Sequence, residues 1–283
     1  MAARTRLLAV LLAALTVLGG CSSLGGTGIG RDDTAAGAAA RDRTDPGTAE
    51  AVRSAAPAPA AAGGATVAVS SRGPARDRSV TTSGTGSVDL RGRAASLALR
   101  ISDLGRVDAL TVGRTAYGAL PPRAINDIAR GRTWVSVDLD RVDLGLYADT
   151  TVQLATGITG NPADLATVLE ALTDDVRVVG PETIEGTPTI HFRGGVDLAR
   201  LPVVAPDLRG AADRLRAELP LAAVPVDVWV DATGRLRRVT ETLVPGETVT
   251  TTTLSGLGPQ PAVVAPSAER VRDLFRELRR RAG

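Results

Sequence analysis

Five separate runs in this chain alternate apolar and polar residues with a period of two, and that repeat decides the kind of fold available to it. Val67 and Val69 share one face of the run from Ala65 to Ser71. Leu97, Leu99 and Ile101 alternate with Ala98, Arg100 and Ser102. Val135 and Val137 alternate with Trp134, Ser136 and Asp138. Ile190 and Phe192 alternate with Thr189, His191 and Arg193, and Val226, Val228 and Val230 with Asp227, Trp229 and Asp231. Successive side chains of a strand point to opposite faces, so each run has one apolar and one polar side. That pattern predicts an antiparallel sheet with one covered face and one solvated face. The β-branched run Thr248 to Leu254 adds an edge or late strand. Gly105, Pro181, Gly186 and Gly234 mark turns between runs.

Helical stripes interrupt the strands. Asn161 followed by Pro162 reads as an N-cap with proline at the first helical position, and Leu165, Val168, Leu169 and Leu172 follow on one face. Leu208, Ala211, Ala212, Leu215 and Leu219 form a second stripe. Ser267 caps a third predicted helix with Val271, Leu274, Phe275 and Leu278 on one side, ending in Arg279, Arg280 and Arg281. Weaker helices are expected at 121–130 and around 48–55. Each stripe needs an apolar surface, and the buried face of the sheet is the natural one. The predicted class is α+β.

The N-terminus reads differently. Arg4 and Arg6 precede an apolar stretch from Leu7 to Leu18, too short to span a bilayer comfortably. Leu18, Gly19, Gly20 and Cys21 follow, and Cys21 is the sole cysteine. This resembles the lipobox of bacterial lipoprotein signal peptides. The resemblance implies cleavage before Cys21, acylation of that residue, and a lipid-anchored body facing the extracytoplasmic side of the cell membrane. The division expected is a signal peptide over 1–20, the lipidated cysteine and a flexible linker over 21–43, and one folded domain over 44–283. A coil of ~22 residues has an end-to-end distance of roughly 25 Å. Gly26 to Gly30 has the glycine spacing of a phosphate loop but follows no strand, so it belongs to the linker.

Composition removes several function classes. The chain has 33 basic and 31 acidic residues, and removing Arg4 and Arg6 with the signal leaves 31 of each. A neutral body has no nucleic-acid footprint. Two Trp, two Tyr and two Phe are too few for a base-stacking platform. One histidine, and no cysteine beyond Cys21, argues against a zinc or copper site of the usual nitrogen and sulfur kind, and no cofactor is expected. Asp138, Asp140 and Asp143 lack the spacing of a calcium loop and read as a strand end with a helix cap. His191 falls opposite Ile190 and Phe192, on the side assigned to solvent, with no nucleophile placed beside it. No catalytic residue is named, and the expected protein is not an enzyme.

The order of segments then resembles a known family. Gly84 to Leu90 is followed by Val112 to Tyr117, by Arg132 to Asp138 and by the helix from Pro162. Val178 to Gly186 then leads into Thr189 to Phe192, and Val224 to Asp231 into Gly234 to Arg238. This series is similar to the actinobacterial LppX/LprG-type lipoproteins, whose fold is similar to that of the LolA/LolB carriers. The resemblance implies a strongly bent antiparallel half barrel with helices on its concave face, enclosing a hydrophobic cavity. It implies a monomer that binds an acylated lipid or lipoglycan there and shuttles or presents it in the envelope. The candidate lining is Leu97, Leu99, Ile101, Val135, Val137, Ile190, Phe192, Val226, Val228 and Val230. The alternative is a non-enzymatic scaffold or sensory lipoprotein that uses the same fold to bind a protein partner.

Overall fold

The computed structural model describes residues 46–75, 78–102, 105–119, 131–140, 161–218, 221–244, 248–274 and 276. All of them lie in one unit, Asp42–Gly283. Cys21, the linker, the weak helix expected at 121–130, and Asp143, Leu219, Phe275 and Arg279 to Arg281 lie outside the described residues.

Twelve strands form one curved, unclosed sheet. The first six, β1 (Gly64–Ala75), β2 (Arg78–Asp89), β3 (Ala94–Ile101), β4 (Gly105–Val112), β5 (Thr115–Ala119) and β6 (Trp134–Asp138), make an antiparallel meander. A second meander contains β7 (Arg177–Ile184), β8 (Thr187–Asp197), β9 (Ala223–Asp231), β10 (Leu236–Val244) and β11 (Thr248–Ser255). The two halves join where β1 pairs with β11. Of the two positions expected for the Thr248–Leu254 run, edge or late, it takes the late one: it is an interior strand with partners on both sides, β1 and β10.

The end of the chain departs from expectation. Ser267 leads into a 3-10 turn at Ala268–Arg270, and Val271–Asp273 is a strand, β12, parallel to β6. Val271 pairs with Trp134 instead of facing a helix stripe, and helix is found only from Leu274 on, at Leu274 and Arg276 among the described residues. The free hydrogen-bonding edge of β6 outweighs the helical spacing, as tertiary context overrides a weak local pattern.

Among the described residues, α-helical segments accompany the sheet at α1 (Pro46–Ala55), α2 (Ala58–Ala61), α3 (Leu165–Glu170), α4 (Leu201–Val204) and α5 (Arg209–Glu218). A 3-10 turn at Pro162–Asp164 opens α3, and Asn161 caps that turn by accepting a hydrogen bond from the Ala163 N–H at 3.0 Å. The expected stripe is buried throughout: Leu165, Val168, Leu169 and Leu172 are all 6% exposed or less. So is the stripe of α5 and its approach, Leu208, Ala211, Ala212 and Leu215. The connection from β6 to β7 links opposite ends of the sheet order and carries α3, whose opening turn contacts β2 and β3. Helix α1 packs on α3, β7 and β9, and α4 joins α3 to α5. The core is the layer between these helices and the sheet.

The register divides the sheet cleanly into faces. One inner row runs Val107, Leu99, Gly84, Val69, Thr252, Val239, Val228 and Phe192, each directly opposite the next. Glycine is required in the row beside it. A Cβ on Gly86 would stand 1.9 Å from the Ser96 carbonyl oxygen, so β2 and β3 approach as they do only without a side chain there.

Candidate functional site

The inner face holds most of the residues expected to line a lipid site. Leu97, Leu99, Ile101, Val135, Val226, Val228, Val230 and Phe192 are all less than a tenth exposed, and Val137 is half-buried. Ile190 departs from the expectation. It shares the register of the inner face but is 41% exposed, near the edge strand β7, beside the exposed Val178 and Val179. A small apolar void of about 10 Å³ lies among Ala95, Leu97, Leu99, Ala109 and Ala116.

A polar lock closes one end of this face. Asp164 is fully buried and accepts hydrogen bonds from Arg93 Nε at 3.0 Å and Nη2 at 2.6 Å, and from Arg114 Nη1 at 3.0 Å. Arg93 also pairs with Asp207, and Arg114 Nε donates to Asp140 at 3.0 Å. Asn161, 1% exposed, accepts from Thr111 Oγ1 at 2.9 Å and donates to the carbonyls of Arg93 and Gly113, each at 3.0 Å. Arg93 adopts a left-handed φ of 50°, unusual for a side chain with a Cβ. Two hairpin ends, at Arg93 and Gly113, are thereby fastened to the start of α3. Of this group, sequence reading found only the Asn161 cap and, in Asp140, one of its acids.

The other end of the inner face carries an unexpected polar row. Thr82 of β2, Ser71 of β1, Thr250 of β11 and Glu241 of β10 stand directly opposite one another in sequence, flanked by Ile101 and Val226. All four are 5% exposed or less. Ser71 Oγ and Thr250 Oγ1 lie 3.1 Å apart and share a hydrogen bond. Thr82 Oγ1 is buried without a hydrogen-bond partner among the described residues.

The outer face holds the one histidine. As parity requires, His191 lies opposite Ile190 and Phe192, but it is 5% exposed and so is not the solvent-facing group expected. Its Nδ1 is 2.8 Å from Glu182 Oε1 and its Nε2 is 2.6 Å from Asp227 Oδ1. The ring stacks on Trp229 with centroids 4.3 Å apart and an angle of 15°. Trp229 Nε1 donates to Glu182 Oε2 at 2.8 Å, Arg193 Nε donates to Asp227 at 2.8 Å, and Arg238 lies 5.9 Å above the indole. The Trp229 N–H first, and then the His191 ring, hold the Glu182 carboxyl below the usual glutamate range. Both imidazole nitrogens face carboxylates, and neither faces a hydroxyl or thiol. A general base needs contact with the group that it deprotonates, and this geometry does not supply it. The cluster ties β7, β8 and β9 together from outside.

A shallow cleft of about 490 Å³ also lies on the outer face, with Ala68, Thr85 and Ala98 beside the cross-strand pair Arg100 and Arg106. Among the described residues no group of three or more His, Cys, Asp or Glu is arranged to hold a metal, and no helix is long and apolar enough to cross a membrane.

No family model matches this chain, and no curated protein matches it. Solved structures do. The lipoprotein LppX of Mycobacterium tuberculosis aligns over 78% of this chain and 100% of its own, at 18% identity and a TM-score of 0.46. LprF of Mycobacterium bovis aligns over 79% and 99%, at 15% identity and a TM-score of 0.43. A LolA superfamily protein of Nitrosomonas europaea aligns over 76% and 94%, at 10% identity and a TM-score of 0.33. The structural neighbours are thus LppX, LprF and LolA-superfamily proteins, the groups that the ordered segments of the sequence resemble.

Proposed function

We propose that this protein is a lipoprotein, anchored through an acylated Cys21, that binds an acylated lipid against the inner face of its sheet and carries or presents it in the cell envelope. The observation that supports this most is the inner face itself. Its apolar rows cross the strands from β4 to β8, broken by Thr252 and the polar row beside it, while the outer face is dressed with Thr, Ser, Arg and His. The sheet ends at β12 and β7 without closing, and the helices pack over its inner face.

The energetics fit the task. An acyl chain of ~16 carbons costs on the order of 13 kcal/mol to expose to water, at ~0.8 kcal/mol per methylene. Contact with Leu97, Leu99, Ile101, Val135, Val226, Val228, Val230 and Phe192 offsets that cost. Val137 and the half-exposed Ile190 stand at the margins of this surface. No step of covalent chemistry is assigned to any residue.

Native mass spectrometry on the purified Cys21→Ser chain tests this reading. Co-purifying lipid of one or two acyl chains, and rebinding of a fluorescent fatty acyl probe after delipidation at micromolar concentration, are expected. A chain that retains no lipid and takes up no acyl probe overturns it and favours the scaffold or sensory alternative.

A further inference from the structure

Arg100 of β3 and Arg106 of β4 stand directly opposite each other on the outer face. Like charges in that position repel and cost stability, so the fold itself gains nothing from the pair. Other arginines along this face are engaged. Arg193 donates to Asp227, Arg238 donates to Thr253 Oγ1 at 2.9 Å and lies over Trp229, and Arg72 Nε donates to Ser79 Oγ at 3.3 Å. Arg100 is exposed and has neither a hydrogen bond nor an ion pair among the described residues. Arg106 has one acid near it, Asp108 on its own strand, at 3.5 Å, and both side chains are more than half exposed. The positions beside the pair are small. Ser83 stands opposite Arg100, and Ala98, Thr85 and Ala68 make the adjacent row across β3, β2 and β1. Side chains that short leave the cleft of about 490 Å³ that both arginines line.

We infer that this cleft is a phosphate site: Arg100 and Arg106 hold the phosphate monoester of a small ligand or of a lipid headgroup, with Ser83 and Thr85 donating from the floor. The charges match, since two guanidinium ions offset a dianion, whereas a carboxylate brings a single charge. The geometry matches as well. Directly opposed residues have Cβ atoms about 5 Å apart, so two guanidinium forks reach one tetrahedral phosphate from adjacent strands. Hydrogen bonds from a guanidinium to a phosphate oxygen are charge-assisted and among the stronger kinds. The Ser83 and Thr85 hydroxyls are exposed, have no hydrogen-bond partner among the described residues, and supply further donors. Asp108 is the group that competes with a bound anion for Arg106. A ligand here brings the charge that the opposed pair lacks. The site is independent of the lipid-binding reading, because it lies on the other face of the sheet.

The test uses the Cys21→Ser chain in phosphate-free buffer. Titration calorimetry compares glycerol 3-phosphate with acetate, and flotation compares phosphatidylcholine vesicles with and without phosphatidic acid. Glycerol 3-phosphate is expected to bind at least tenfold more tightly than acetate, and to weaken about fivefold as salt rises from about 0.05 to 0.5 M. Arg100→Gln is expected to weaken it tenfold or more, and Asp108→Asn to tighten it twofold or more. Because Arg100→Gln also ends the like-charge opposition, its thermal midpoint without ligand is expected at or above the parent's. Asp108→Asn reads the same site without touching either arginine. Binding of the soluble ester assigns the cleft to a small ligand. Flotation with phosphatidic acid alone, lost in Arg100→Gln and without binding of the soluble ester, assigns it to a lipid headgroup. No binding of either source, equal affinity for acetate, or an Arg100→Gln chain that binds as the parent does overturns the phosphate site.

Discussion

Asp164 offers a demanding test of how this fold is held, because a full negative charge sits inside it with two arginines. Asp164→Asn keeps the shape and removes the charge. Three hydrogen bonds are at stake, two from Arg93 onto Oδ1 and one from Arg114 onto Oδ2, and the amide nitrogen of Asn would face a guanidinium that it cannot accept from. Breaking a buried pair by removing one partner costs about 3–5 kcal/mol. The cost here is tempered, since Arg93 keeps Asp207 and Arg114 keeps Asp140, both partly exposed. A loss of about 3 kcal/mol is expected. With a urea dependence of about 3 kcal/mol per molar for a domain of this size, the midpoint falls by about 1 M. Equilibrium urea unfolding followed by Trp fluorescence measures it. Arg114→Gln alone and the double variant complete a cycle, in which a coupling of about 1 kcal/mol or more is expected for residues in direct contact. A loss under about 1 kcal/mol for Asp164→Asn, with no coupling, would refute the claim that this buried charge locks the hairpins to α3.

Other expectations follow from single positions. Leu99→Ala removes a side chain only 2% exposed and should cost about 2–5 kcal/mol, whereas Ile190→Ala, 41% exposed, should cost about 1 kcal/mol or less, both read from urea midpoints. Gly86→Ala pushes a methyl onto the Ser96 carbonyl and should lower the thermal midpoint more than Leu99→Ala, because backbone and not a side chain must move. Glu182 has its carboxyl held low in the folded state, so its contribution is present above the ordinary glutamate range and is lost as pH falls through the lowered folded value. Glu182→Gln should therefore flatten the acid side of the stability–pH curve below about pH 4.5, measured by chemical denaturation at stepped pH. An unchanged acid limb would show that the Trp229 and His191 contacts do not bias that carboxyl.

What could be read from sequence was local. The period-two runs around Val226 and Leu97 became strands with the expected faces, because burial on one side of a pleat writes itself into neighbouring residues. The Asn161-Pro162 pair became a capped turn for the same reason. His191 shows the limit. Parity gave its face correctly, but its burial comes from Glu182, Asp227 and Trp229, which lie 9 to 38 positions away and meet it only through β-pairing. The Arg93–Asp164 and Arg114–Asp164 pairs span separations of 71 and 50 residues, and no local pattern announces them. The polar row at Thr82, Ser71, Thr250 and Glu241 exists only once β1 is seated on β11. The start of the C-terminal helix is misplaced for the opposite reason: the helical spacing includes Val271, but β6 offers a strand edge to Val271–Asp273, and helix appears only at Leu274 and Arg276.

Native mass spectrometry of the Cys21→Ser chain reads out what the inner face is for. A lipid-binding inner face gives a protein mass increased by a discrete lipid, lost on delipidation and restored by an acyl lipid at micromolar concentration. A chain that flies only at its own mass, before and after incubation with every acyl probe, would contradict it.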